Sequence, residues 1–171
     1  MQRVYPSLVG LLLGLLQTGL YFQLSFMLSS SIRTFLLVTV CWLVGSVVGI
    51  GLAKRVQVGL SAFILLALAA YFACVLLLAV APFQTQLWPA YGVLIALTGV
   101  YPGVFFVRMG AFYRARDLFL RENNGFIAGL VAGTILYLLV GRTALWIPPA
   151  ILAISLIICD RSLLMRPLST N

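Results

Sequence analysis

Residues 32–55 read IRTFLLVTVCWLVGSVVGIGLAKR: an arginine at the second place, an uncharged stretch over 34–53, and then the pair Lys54-Arg55. An apolar run of that length matches one crossing of bilayer hydrocarbon, which takes roughly 20 residues as a helix. Only a helix satisfies every backbone donor and acceptor within a single such segment. The pattern recurs along the chain, over 4–28, 58–81, 88–107, 125–140 and 143–159 as well as 32–53. The last two runs are short enough to require tilt or local thinning of the bilayer. With 63% hydrophobic and 8% charged residues in 171, the chain has too little polar surface to cover a water-soluble globule. The expected fold is therefore all-α and polytopic, a single domain over 1–171 with six transmembrane helices. The first run follows Arg3 as a signal peptide would, yet it is long and ends in Ser29-Ser30-Ser31 with no small-residue cleavage pattern, so a retained helix is expected.

Charge orients the bundle. Arg3, Lys54, Arg55, Arg108, Arg114, Arg116, Arg121, Arg161 and Arg166 fall on every second inter-helix segment, leaving Arg33 and Arg142 for the other side. That asymmetry is the positive-inside pattern, and it predicts both termini in the cytoplasm; the compactness of the chain makes a bacterial inner membrane the expected site. The three acids, Asp117, Glu122 and Asp160, fall on the same side, and Trp88 and Trp146 fall where an outer aromatic belt belongs. A net charge of +8 raises the possibility of nucleic acid, but the arginines cap apolar runs and form no basic domain. Anionic lipid headgroups are the expected partner instead.

Several chemistries lack their residues. There is no histidine, and Cys41, Cys74 and Cys159 sit in separate apolar runs without CxxC spacing, so no metal site, haem or other cofactor is expected. No Ser-His-Asp set, HExxH motif or phosphate-cradling glycine loop is present, and no Asp, Glu, Lys or Arg falls at the centre of an expected span. An enzyme is not expected, and a proton relay has no evident carrier.

Glycine supplies the clearest local pattern. Gly125, Gly129 and Gly133, with Tyr137 and Gly141, recur every fourth residue on the fifth helix, and Gly45, Gly49 and Ala53 do so on the second. Such stripes let helix backbones approach closely where lipid removes the hydrophobic drive between helices. Tight packing is the plain reading; a solute path or a dimer seam are the sharper ones. On the first helix Gly10, Gly14, Gln17, Tyr21 and Ser25 share a face with Thr18 beside them, which reads either as interhelical hydrogen bonding or as the wall of a polar cavity. Trp42, about ten residues into the second run, is a core residue or a stacking surface in the same cavity. Pro102, between Gly99 and Gly103, predicts a kink in the fourth helix and a candidate hinge. Segment 108–122, RMGAFYRARDLFLRE, sorts Met109, Phe112, Phe119 and Leu120 against Arg114, Asp117 and Arg121. It predicts an interfacial helix between helices 4 and 5, with Arg108, Arg114 and Arg121 against lipid headgroups.

The segments GSVVGIGLAKR (45–55), LTGVYPGVFFVRM (97–109) and ENNGFIAGLVAGTILYLLVG (122–141) together resemble the six-helix membrane region of spermidine-synthase-like membrane proteins. That region is itself similar to one half of a major-facilitator transporter. The resemblance does not extend to the aminopropyltransferase domain of such proteins, so it brings no catalytic or polyamine-binding residue with it. Two roles are expected from the sequence. The first is a non-enzymatic integral membrane subunit that anchors or scaffolds partner membrane proteins through its glycine faces. The second is a half-size, facilitator-like transporter or flippase for a small solute, acting as a homodimer. The topology has a direct check: reporters active only in the cytoplasm, fused after Asn171 or inserted at 56–58, should both be active, and an external signal from either would contradict the orientation.

Overall fold

The computed structural model describes residues 4–28 and 31–164, with side chains as far as Asp160. Arg3 and Arg166, and the side chain of Arg161, lie outside the described residues. Six helices follow one another: α1 (Tyr5–Met27), α2 (Ile32–Arg55), α3 (Leu60–Val80), α4 (Trp88–Met109), α5 (Ala115–Val140) and α6 (Ile147–Leu164), with short 3₁₀ turns ahead of α4 and α6. No strand occurs among the described residues. The first five are long and apolar enough to cross a membrane, and α6 carries a shorter apolar stretch over Ile147–Asp160. The described residues thus form an all-helical bundle whose helix lengths and composition fit a membrane protein.

The helices alternate in direction, as contacts at their ends show. The Met27 carbonyl accepts from the Phe83 amide at 3.1 Å, which puts the end of α1 beside the end of α3. At the opposite pole Asp160 of α6 meets Ser61 at the start of α3, and Arg108 at the end of α4 meets the carbonyls of Val56 and Val58. Lys54, Arg55, Arg108, Arg114, Arg116 and Arg121 gather at this second pole, hereafter the basic end, while Arg33 and Arg142 belong to the other.

One prediction fails here. No separate helix lies between α4 and α5: α4 runs to Met109, a five-residue connection follows, and α5 begins at Ala115 and continues unbroken to Val140. Nothing between 115 and 124 forces a break, since that stretch holds neither proline nor glycine. Gly125 does not end the helix either, because it is packed against α1 rather than exposed to water. The buried stripe is Leu118, Glu122, Gly125, Gly129 and Gly133, whereas Phe112, Phe119 and Leu120 point outward. α5 ends where Gly141, at φ 74°, takes a backbone conformation that side chains disfavour.

Packing is dominated by two helix pairs, α1 with α5 and α2 with α4. In each pair two glycines from either helix press on the partner's backbone. A methyl group on Gly10 or Gly14 would overlap the carbonyls of Glu122 and Phe126; one on Gly125 or Gly129 would overlap those of Ser7 and Leu11. In the other pair, Gly99 and Gly103 face the carbonyls of Trp42 and Ser46, while Gly45 and Gly49 face those of Ala96 and Val100. Every glycine meets the residue three places before a glycine of its partner. The two seams are therefore the same reciprocal contact made twice.

They also relate the two halves of the chain. α1 corresponds to α4 and α2 to α5, each pair three helices apart and running in opposite directions. The first helix of each half packs on the second helix of the other, and contacts of α3 with α4 and of α6 with α1 extend the correspondence to the third. The bundle is two interlocked three-helix units of inverted orientation. α1, α3 and α4 form most of the core, with Tyr71, Tyr91, Tyr101 and Phe105 fully buried. α2 and α5 are peripheral: beyond their glycine stripes, Val40, Leu43, Val47, Ile127, Val131 and Ile135 are exposed, as befits lipid-facing helices.

Candidate functional site

Polar groups buried inside an apolar bundle need partners, so where they lie and whether they are satisfied marks the places able to do chemistry. Three sets stand out, apart from the buried, unpartnered Tyr91 hydroxyl and Trp88 indole N–H of α4.

The first set lies toward the pole away from the arginines. Tyr71 of α3 lays its phenol over Gly19 of α1, where only a glycine leaves room. It donates to the Leu145 carbonyl at 2.5 Å and accepts from the Gln23 amide at 2.9 Å. One hydroxyl thereby ties α1, α3 and the turn before α6. Nearby, α1 offers the predicted cavity residues. Gln17 is half-buried and has no hydrogen bond among the described residues. Tyr21 is half-buried and meets Phe35 of α2 edge-on at 6.2 Å. The hydroxyls of Thr18 and Ser25 are buried without a partner. Phe22 and Phe26 stack on Tyr137 of α5 at 4.9 and 5.4 Å, which closes the outer part of the α1/α5 seam. Gln17, Tyr21 and Ser25 all lie on α1 and are each half-buried. Trp42 belongs to the α2/α4 seam, buried in the core with its carbonyl against Gly99. Ser46, one turn on, shares its hydroxyl between the Trp42 and Gly99 carbonyls, both at 3.1 Å.

The second set is at the basic end. Asp160 is buried, and its Oδ2 accepts from the Ser61 amide at 3.1 Å and from the Ser61 hydroxyl at 2.5 Å. α3 begins after Gly59 with no side-chain cap of its own, so a carboxylate from α6 supplies the acceptor that its first turn lacks. The phenols of Tyr5 and Tyr101 approach each other and Asp160 without reaching hydrogen-bond geometry. Arg108 donates to the Val56 carbonyl at 2.7 Å and to that of Val58, and stacks over Phe63 at 5.4 Å, fastening the end of α4 to the connection between α2 and α3. Of the other two predicted headgroup ligands, Arg114 is exposed and Arg121 lies by Tyr113. In the connection between α4 and α5, burial pushes the Tyr113 phenol above its ordinary value, and the Arg121 guanidinium works against the shift.

Glu122 forms the third set alone. It is 7% exposed, lies on the stripe that α5 turns to α1, and has no hydrogen bond or ion pair among the described residues. Sequence reasoning placed Glu122 and Asp160 with the arginines outside the spans; both are inside helices and buried. For Glu122 a signal existed, since it stands three residues before Gly125 and so shares the glycine stripe once the helix is extended backward. Asp160 follows an apolar run directly and reads as the first residue of a tail. Pro102 lies within a continuous α4, its flanking glycines used in the α2/α4 seam.

Among the described residues no group of three or more His, Cys, Asp or Glu is placed to hold a metal ion. The chain matches no protein-family model, no curated protein and no solved structure.

The Asp160 cap is open to measurement. Asp160→Ala leaves the Ser61 amide and hydroxyl unpaired and should lower stability by about 1–3 kcal/mol in detergent unfolding. Asp117→Ala, at an exposed acid, should stay within about 0.5 kcal/mol. Equal effects of the two would contradict the cap.

Proposed function

We propose that this chain is a half-size transporter for a small solute, working as a pair of copies in a membrane. The observation that carries this reading is the inverted repeat: two three-helix units, interlocked through the same glycine seam and pointing in opposite directions. That architecture suits alternating access, in which one repeat or bundle rocks against another around a site near mid-depth. A single six-helix bundle has no opposite wall, which a second copy would supply. The resemblance to one half of a major-facilitator protein points the same way.

The polar groups of α1 would contact the solute. Gln17, Thr18 and Ser25 have no hydrogen-bond partner among the described residues, and such groups at membrane depth tend to find some partner. A solute, or the second copy, would satisfy them. Tyr21, beside them, offers a hydroxyl and a ring face. The basic end would face the cytoplasm, with Arg114 and its neighbours against anionic headgroups. Pro102 would act as a hinge only if α4 bends when the bundle rocks.

A second reading has its own support. The outer faces of α2 and α5 are broad and apolar, and they would equally well carry partner subunits, making the chain a non-enzymatic anchor or scaffold.

One preparation separates the two. Gently solubilised, the chain should be found as two copies with no other subunit. In proteoliposomes screened against labelled small solutes, Gln17→Ala and Tyr21→Ala should each lower uptake about tenfold, the equivalent of one lost hydrogen bond. A particle that always contains other subunits, with those substitutions altering only its assembly, would overturn the transporter reading in favour of the scaffold.

A further inference from the structure

Glu122 is the one buried carboxyl in the described bundle without a donor or cation beside it. Its counterpart Asp160 meets two donors of α3. Glu122 meets none, although it is just as deeply covered. From α1 the residues against this part of α5 are Ser7 and Gly10, neither of them titratable, and they touch it backbone to backbone. Tyr5, nearer the start of α1, directs its phenol to Tyr101 and Asp160, with Cys159 of α6 in the same group. On α5 the neighbours along the stripe are Leu118 and Gly125; Asp117 is exposed, and Arg121 lies by Tyr113. Among the described residues no charged or titratable group of any helix acts on Glu122.

A carboxylate in that setting is a largely covered charge with no counter-ion among the described residues, which is a costly state. The neutral acid removes the charge. We infer that Glu122 is a proton-binding site of this bundle, loaded while α1 and α5 are closed on each other and unloaded when their seam admits water. In loading, a hydronium ion from the solution at the basic end gives its proton to a Glu122 oxygen and leaves as water. In unloading, the O–H bond breaks and water carries the proton away, leaving the carboxylate hydrated. The seam is the natural gate, because Gly10 rests on the Glu122 backbone carbonyl and Glu122 lies on the stripe that α5 turns to α1. That the proton serves as the coupling ion rests on the transport reading; its binding does not.

The whole chain has three acidic side chains, which makes the site accessible to infrared spectroscopy of the full protein in lipid bilayers. At neutral pH the wild-type chain should show the C=O stretch of a protonated carboxyl, shifting in D₂O. Glu122→Gln should abolish it. The double variant Asp117→Asn with Asp160→Asn, in which Glu122 is the one acidic side chain left, should retain it. Absence of the band from the wild type, or its survival in Glu122→Gln, would overturn the assignment. Should Glu122→Gln fail to reconstitute, the double variant decides alone: band present supports the site, band absent sinks it. A band in a chain that moves no solute would remove the transport reading and leave the proton site standing, whereas solute flux without the band would do the reverse.

Discussion

Lipid takes away the force that holds most proteins together. Hydrocarbon tails solvate a leucine as well as another leucine does, so helices in a bilayer associate through close contact and interhelical hydrogen bonds. In this bundle the contact is made by eight glycines, four in each of two seams, where one helix backbone rests on another. The rest of the architecture depends on those seams. They join the first helix of each half to the second helix of the other, so neither three-helix unit is complete alone. They leave α3 and α6 to fill the space between, and they place the apolar flanks of α2 and α5 outward. A side chain at any of the eight positions would force the pair apart, and the polar contacts at either end are too few to replace what would be lost.

Those end contacts divide the work. At one pole Tyr71 ties three elements with one hydroxyl, and at the other Asp160 and Arg108 bind helix ends that lack caps of their own. Between them the interior is mostly apolar; its polar exceptions include the α1 hydroxyls and amide and the Tyr91 hydroxyl, for which no partner is found among the described residues, and Glu122, at the edge of the α1/α5 seam. A bundle that is tightly sealed along two lines and unsatisfied beside one of them is built to have something added there, whether a solute, a second copy or a proton.

Much of this was legible in the sequence. The apolar runs located all the helices but α5 to within about five residues, because their lengths follow from the thickness of hydrocarbon. The glycines of α2 and α5 stood out through their spacing. Their partners did not: Gly10 and Gly14 read as part of a polar face, and Gly99 and Gly103 as the setting of a kink, since one helix does not reveal which neighbour it meets. The start of α5 was misplaced for a related reason. Asn123-Asn124-Gly125 is a helix-ending signature in water, whereas here Gly125 is a contact made from within a helix, and only the partner's backbone shows the difference. The burial of Glu122 and Asp160 was hidden by the same thing, because an acid beside arginines looks solvated until α1 or α3 is laid against it.

The central claim is that the two glycine seams are separate, reciprocal contacts, and a double-mutant cycle tests it most directly. Gly10→Ala and Gly125→Ala insert methyls into the same seam, so once the first has parted α1 from α5 the second should cost less, giving a combined loss in detergent unfolding well below the sum. Gly10→Ala and Gly49→Ala burden different seams, and their costs should add to within about 0.5 kcal/mol. The same degree of additivity in both pairs, or no cost from the single substitutions, would contradict the account.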